Sequence, residues 1–245
     1  MNDTAAGAIR IGCAPISMPV EYRIISIGTL AAHPLWDEQG EVRTGHATTT
    51  LISADGARIL VDPSLPAQAL LARLGERAGV DACRITHVFL TSADPLHRRG
   101  LAAFDDATWL AYESELEAVK ATIVEQISQA RDGGDDELIT MLNRELRILK
   151  KCKPAPDSIV KGVDLFPLPG VTPGCCGLLL LLPRATALIC GDAVATVEHL
   201  QQRKVLPGCF DVDQARESFA EAVEIADLLI PGRDNLTLSP LRLAM

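Results

Sequence analysis

The segment TSADPLH, residues 91–97, places Ser92, Asp94 and His97 directly after an apolar run. A hydroxyl, a carboxylate and an imidazole where a strand ends are groups that hold metal ions or transfer protons. A second carboxylate, Asp192, follows another apolar run in the same way. The question raised by these residues is whether they form an active site, the remains of one, or neither.

Two kinds of active site are compatible with these residue types. Asp94, His97 and Asp192 form a possible ligand set for a divalent metal ion such as zinc, with the thiol of Cys175 as an extra donor. A hydrolytic arrangement would instead use Ser92 or Cys175 as the nucleophile and His97 as the base. No GxSxG turn accompanies Ser92, and this absence disfavours the hydrolytic arrangement.

The spacing of hydrophobic residues along the chain predicts the strands and helices that position these groups. Strands are predicted over residues 21–30, 84–91, 163–168, 177–183, 186–192 and 228–232, and as a hairpin over 48–62 that turns at Asp55-Gly56. Helices are predicted over residues 66–77 and 213–226, and as a helical hairpin over 113–151 that breaks at Asp132-Gly133-Gly134. Strands and helices in alternation predict a layered α/β fold.

Composition excludes several classes of function. The 245 residues are 48% hydrophobic, which is enough to bury a sizeable core. With 23 basic and 32 acidic residues the net charge is -9, which disfavours nucleic acid as a partner. No apolar run approaches the roughly 20 residues of a membrane-spanning helix, so a soluble protein without a membrane partner is expected. Seven scattered cysteines suit reduced thiols, and with the absence of a secretory signal they predict a cytoplasmic location.

Five segments together resemble the metallo-β-lactamase family: ILVDPSLP, THVFLTSADPLH, PGVTPG, ALICGDA and IPGRDN occur in its order and spacing, from about Glu21 to Asn235. The resemblance implies an αββα sandwich, in which two mixed β-sheets are flanked by helices, as a single domain over residues 21–245. The helical hairpin at about 113–151 is then an insertion in this domain, and residues 1–20 are expected to form a flexible arm.

The resemblance also implies where the family's two zinc ions would be bound. The family's THxHxDH motif aligns with Ser92, Asp94, Leu96 and His97, and its remaining ligand positions align with Val171, Asp192 and Arg233. Only His97 and Asp192 match the family's ligands. Zinc requires about four nitrogen, sulfur or oxygen donors, and leucine, valine and a guanidinium supply none.

Arg233 is the most informative of these changes, because a guanidinium with a pKa above about 12 stays charged and cannot bind a cation. We expect Arg233 to pair with Asp192 and to replace the metal as the counter-charge of a buried carboxylate. The sequence therefore predicts a degenerate metal site without a cofactor, in a pseudoenzyme that keeps the former pocket for an unidentified small molecule or protein. An enzymatic role is uncertain on this basis and is disfavoured.

Two other functions remain open. One is a metal-dependent hydrolase of an ester, lactone, thioester or phosphoester, which would use a rearranged site at Asp94, His97 and Asp192 with zinc or another divalent metal. The other is a structural role, in which the apolar stripe of the helical hairpin forms a homodimer.

We assign structural roles to the further residues near the predicted site. Asp62 resembles a family carboxylate that supports the ligand loop, and Cys175 is expected to pack as a small apolar residue. His46 is expected to be a loop histidine bonded to the backbone at the edge of the pocket. His33 is assigned to a surface loop, and His199 to the solvated start of a helix.

Overall fold

The computed structural model describes residues 19–243. Two six-stranded sheets form its centre. The first sheet has the order β1-β2-β3-β4-β5-β6, with strands Glu21–Ser26 (β1), Thr49–Ala54 (β2), Ala57–Val61 (β3), His87–Leu90 (β4), Thr108–Ala111 (β5) and Lys153–Pro154 (β6). The second has the order β12-β11-β10-β9-β8-β7, with strands Ser158–Val160 (β7), Val163–Pro167 (β8), Cys176–Leu181 (β9), Thr186–Gly191 (β10), Leu228–Pro231 (β11) and Thr237–Leu238 (β12).

Both sheets are mixed. In the first sheet β1, β2 and β3 are antiparallel, whereas β3 through β6 run parallel. In the second sheet β10 and β11 are the parallel pair. The α-helices are Ala67–Ala78 (α1), Glu113–Gly133 (α2), Asp136–Lys151 (α3), Val197–Gln202 (α4), Val212–Ile225 (α5) and Pro240–Leu243 (α6).

Alternation of side chains along the strands produces four layers. Ile59 and Val61 of β3 point into the cluster between the sheets, whereas Leu60 joins the cluster beneath α1 and α2. In the second sheet Ile189 faces the first sheet, and Leu188 packs in the cluster that includes Phe219 of α5. A period of two residues therefore gives each sheet two buried faces. The result is the αββα sandwich expected from the sequence.

Local sequence signals account for most of the elements. The hairpin turn at Asp55 and Gly56 has φ values of +47° and +80°, which are the left-handed values that favour an Asp-Gly pair. Helices α2 and α3 reproduce the predicted helical hairpin, and its buried residues Leu116 and Leu149 pack in the cluster on the outside of the first sheet. The rest of the domain therefore covers much of the apolar stripe of this helical hairpin. The formation of a homodimer through the stripe remains a prediction.

Some predicted boundaries were wrong. The first strand ends at Ser26 instead of Leu30. Beyond it the chain lies very close to a neighbouring segment, because a Cβ atom at Gly28 would be 2.5 Å from the backbone nitrogen of Thr48. Residues 1–18 of the predicted arm lie outside the described residues, and Val20 is buried between the sheets. Strand β5 was not predicted from the sequence.

Candidate functional site

The candidate site lies where four strands end. Asp62 directly follows β3, and residues 91–97 directly follow its parallel neighbour β4. In the second sheet Asp192 follows β10, and Arg233 lies two residues beyond the parallel strand β11. Because parallel neighbours end at the same edge of a sheet, the two pairs of strands bring these segments together.

Arg233 and Asp192 form a bidentate ion pair. The Nε atom of Arg233 donates to one oxygen of Asp192 and its Nη2 atom donates to the other, both at 2.7 Å. Both residues are buried, at 6% and 8% exposure. Gly232 allows this approach, because a Cβ atom there would lie 2.7 Å from Oδ1 of Asp192. The ion pair expected from the sequence is therefore present.

His97 connects this ion pair to a second carboxylate. Its Nε2 atom lies 3.1 Å from Oδ2 of Asp192, and its Nδ1 atom lies 3.0 Å from Oδ2 of Asp62. Asp62 also accepts hydrogen bonds from the backbone nitrogen and the hydroxyl of Thr91, at 2.9 and 2.6 Å. The four side chains of Asp62, His97, Asp192 and Arg233, which we call the ionic cluster, thus link the ends of both sheets.

The charges within the ionic cluster determine its protonation. Burial alone would lower the pKa of His97, but Asp62 and Asp192 outweigh that effect and raise it to about 9. Burial alone would raise the pKa of Asp192, yet Arg233 and His97 hold it well below its usual range. At neutral pH His97 is therefore an imidazolium between Asp62 and Asp192, with the guanidinium of Arg233 beside it.

Protein groups face both ring nitrogens of His97. Its Nδ1 atom lies 3.0 Å from Oδ2 of Asp62, and its Nε2 atom lies 3.1 Å from Oδ2 of Asp192 and 2.9 Å from Nη2 of Arg233. Both ring nitrogens of an imidazolium are donors, and only the neutral ring is a metal ligand. The position of Arg233 therefore prevents a cation from approaching the nitrogen and carboxylate that match the family's ligands.

The other positions that align with the family's ligands do not join the ionic cluster. The hydroxyl of Ser92 donates to Glu115, and the exposed carboxylate of Asp94 accepts from the backbone nitrogen of Leu96, at 2.7 Å. That contact caps the short 3-10 helix Pro95–His97. Leu96 and Val171 are half-buried. Within residues 19–243 Asp94 has no hydrogen bond to His97 or Asp192, so the structure does not assemble the rearranged trio.

Glu115 is a buried residue at the site that sequence reasoning missed. One of its oxygens accepts from Ser92 and from the backbone nitrogen of Ala93, each at 2.9 Å. The other accepts from the hydroxyl of Thr172 at 2.7 Å and from the backbone nitrogen of Gly174 at 3.1 Å. The carboxylate therefore connects the loop that contains Ser92 with the loop that contains Thr172 and Gly174. The sequence offered only an acidic residue in the first turn of α2, which is typical of solvent-exposed helix starts.

Two histidine assignments were wrong. His33 is buried rather than in a surface loop, because its ring stacks on Trp36 at 4.1 Å and its Nε2 atom contacts the hydroxyl of Thr196 at 3.1 Å. His199 is also buried, although it lies in the first turn of α4. Its Nδ1 atom contacts the same hydroxyl at 2.9 Å, and burial together with His33 lowers its pKa to about 4.

His46 and Cys175 lie apart from the cluster's hydrogen bonds. The ring of His46 contacts the backbone oxygens of Thr44 and Ile27 at 3.2 and 3.0 Å, as expected for a loop histidine bonded to the backbone. Cys175 is completely buried, and burial raises the pKa of its thiol well above the usual value. A thiol in this state is protonated at neutral pH and is therefore a poor nucleophile.

The residues present do not fit the zinc ions that the fold family implies. A zinc site needs three or four donors around one point, whereas Leu96 and Val171 offer none and Arg233 is a fixed cation. Among the described residues, no group of three or more histidine, cysteine, aspartate or glutamate side chains is arranged to hold a metal ion.

Between residues 19 and 243 no helix has both the length and the apolar character needed to cross a membrane.

Comparison with known proteins identifies the family. Residues 42–232, more than half of the chain, match the metallo-beta-lactamase superfamily, and the chain belongs to it. Similar solved structures include a putative metallo-beta-lactamase from Thermotoga maritima, with 17% identity, a TM-score of 0.65, and coverage of 90% of this chain and 100% of that one. No curated protein sequence matches the chain.

Several structural neighbours are lactone hydrolases. The dizinc quorum-quenching lactonase AidC has 17% identity and a TM-score of 0.65, with coverage of 91% of this chain and 88% of that one. A quorum-quenching N-acyl homoserine lactone hydrolase has 16% identity and a TM-score of 0.60, with coverage of 85% and 87%. At these identities the likeness shows the fold, and the side chains of this chain must be interpreted for themselves.

Proposed function

We propose that this protein is a metal-independent, non-hydrolytic member of the superfamily that binds a small molecule or a protein partner. The observation on which the proposal rests is the bidentate contact of Arg233 with Asp192, beside His97. A guanidinium supplies the positive charge that the carboxylate needs, and it does so without an exchangeable ion. In this proposal the ionic cluster replaces a metal centre as a fixed structural connection between the two sheets.

The same contact argues against hydrolysis through a metal-bound water. Such catalysis needs an open coordination position beside a carboxylate or imidazole that retains a lone pair. Here the hydrogen-bonding groups of His97 and Asp192 face protein donors and acceptors, and both side chains are almost completely buried. The residues of the former site are therefore suited to stability rather than to the activation of water.

A recess beside the former site supports a binding role. Its volume is about 360 Å³, and it is lined by residues 41–45 together with Leu96 and Arg99. Arg43 within this lining is paired with Glu38, whereas Arg99 is exposed. Leu96, which aligns with a family ligand, lies in this lining, so we assign the recess to the binding of a ligand or partner.

Metal stoichiometry tests this proposal. The purified protein would be dialysed against excess zinc, freed of unbound metal by gel filtration and analysed by inductively coupled plasma mass spectrometry. We expect no zinc to be retained, whereas the dizinc lactonase AidC, treated in parallel, should keep its metal. One firmly held ion per chain, lost in Asp94→Asn and His97→Gln variants and accompanied by lactone or ester hydrolysis, would support the metal-dependent hydrolase instead.

A further inference from the structure

A cavity of about 610 Å³ lies outside the second sheet, between α4, α5 and the C-terminal segment that contains β12 and α6. Asp62, His97, Asp192 and Arg233 do not line it. The cavity is therefore separate from the ionic cluster and from the recess beside Leu96. Its volume is within the roughly 300 to 1,000 Å³ that is typical of small-molecule sites in proteins.

The walls of this cavity are mainly apolar. On α5 the stripe of Phe219, Ala220 and Val223 faces it, with the spacing of three and four residues that puts side chains on one face of a helix. Leu200 of α4 and Leu241 of α6 contribute from the other sides. Leu241 is 51% exposed, so the cavity opens to solvent beside an apolar edge.

The lining of the cavity contains three charged groups. They are Arg203, Arg216 and Glu224. Arg216 and Glu224 are eight residues apart on α5, which separates them by about 12 Å along the helix. Arg203 directly follows α4, and among the residues that the structure describes it forms no ion pair. Within the same residues, the ion pair of Arg216 is with the exposed Asp213 on its own helix. Two cationic groups and one acid therefore line a mainly apolar space.

We propose that this cavity binds a long-chain aliphatic carboxylate, with its chain along the apolar stripe of α5 and its carboxylate at Arg203 and Arg216. An aliphatic chain matches the apolar walls, and a guanidinium is a preferred partner of a carboxylate. A concave space favours a small ligand over a second copy of the chain, which would need an extended surface. This inference goes beyond the proposed function and does not depend on the state of the metal site.

Isothermal titration calorimetry with decanoate below its micelle concentration tests the inference. We expect one saturable site with a Kd below about 1 mM. Ala220→Trp fills the cavity from an exposed position on α5 and should weaken binding at least about tenfold, whereas Ala72→Trp, at an exposed position on α1, should leave it unchanged. Arg203→Gln and Arg216→Gln should each weaken binding about three- to tenfold, and decanol should bind less tightly than decanoate.

Two results would overturn the inference. Failure of the folded wild-type protein to bind decanoate would do so, as would equal binding by wild type and Ala220→Trp. A concentration-dependent mass that Ala220→Trp abolishes, in a protein that does not bind decanoate, would assign the cavity to a second copy of the chain. Circular dichroism and urea unfolding of each variant separate a loss of binding from a loss of folding.

Discussion

Arg233 contacts both oxygens of Asp192, each at 2.7 Å, although 41 residues separate the two along the chain. The contact joins the loop after β10 to the loop after β11. Backbone hydrogen bonds from Gly232 to Val194 and from Arg233 to Ala195, at 3.0 and 2.8 Å, hold the same two loops in register. The ion pair is therefore supported by the local backbone on both sides, which favours a fixed structural contact over an accidental one.

Removal of the guanidinium should destabilise the fold. We expect Arg233→Met to lower the free energy of unfolding by roughly 3 to 5 kcal/mol, because it leaves the buried carboxylate of Asp192 without its strongest partner. Urea unfolding at neutral pH measures this change. The matched control is Arg84→Met, at an exposed position, which should change stability by less than about 0.5 kcal/mol. Similar values for the two variants would mean that the ion pair contributes nothing.

Stability should fall as the pH rises from neutral to alkaline values. The pKa of His97 is about 9 in the folded protein, above its ordinary value of 6.5, so folding binds a proton. The stabilisation from this proton is complete below about pH 6.5 and is lost as the pH rises through about 9, and it amounts to about 3 kcal/mol.

Urea unfolding of the wild type and of His97→Gln at pH 6 and pH 9.5 measures this loss. The wild type should lose more stability than the variant over this interval, because the variant lacks the titrating imidazole. Parallel pH dependence in the two proteins would show that His97 is not the group responsible.

Glu115 should matter as a carboxylate rather than only as a filler of space. In Glu115→Gln the side-chain amide presents its own N–H groups to two of the four donors that Glu115 satisfies, so we expect a loss of about 1 to 3 kcal/mol. The matched control is Glu117→Gln, an exposed change on the same helix. Denaturant titration compares the two, and an equal effect would remove Glu115 from the support of the site.

Restoring two family histidines should not restore zinc binding. In Val171→His with Arg233→His, the competing cation is gone, but Leu96 still offers no donor and Ser92 and Asp94 remain engaged elsewhere. Zinc affinity depends on several donors that act together, so we expect weak binding at most. Calorimetric titration with zinc tests this, and tight binding by the double variant would show that the remaining side chains form a nearly complete site.

Local sequence predicted much of the fold, and motif spacing predicted part of the site. The turn at Asp55 and Gly56 and the helices at 67–78 and 212–225 follow from residue type and period alone. Strand β5, of four residues, was missed, although β4 and β11, which are equally short, were predicted. The pairing of Arg233 with Asp192 was predicted because the resemblance aligns both residues with ligand positions of the metallo-β-lactamase family.

Other features of the site depend on packing between distant segments. The contact of His33 with Thr196 spans 163 residues, and that of Glu115 with Gly174 spans 59. No local pattern distinguishes a histidine or glutamate that such a contact buries from one left in solvent. The burial of His33, His199 and Glu115 was therefore beyond prediction from a single sequence, and it became visible only with the tertiary structure.

A double-mutant cycle tests the central claim, that Arg233 has replaced a metal as the partner of Asp192, most directly. The free energies of unfolding of the wild type, Arg233→Met, Asp192→Asn and the double variant would be measured in the presence of a chelator. We predict a coupling energy above about 2 kcal/mol, because the neutral pair leaves no unpaired charge in the buried cluster. A coupling energy near zero, with the two losses simply adding, would contradict the claim.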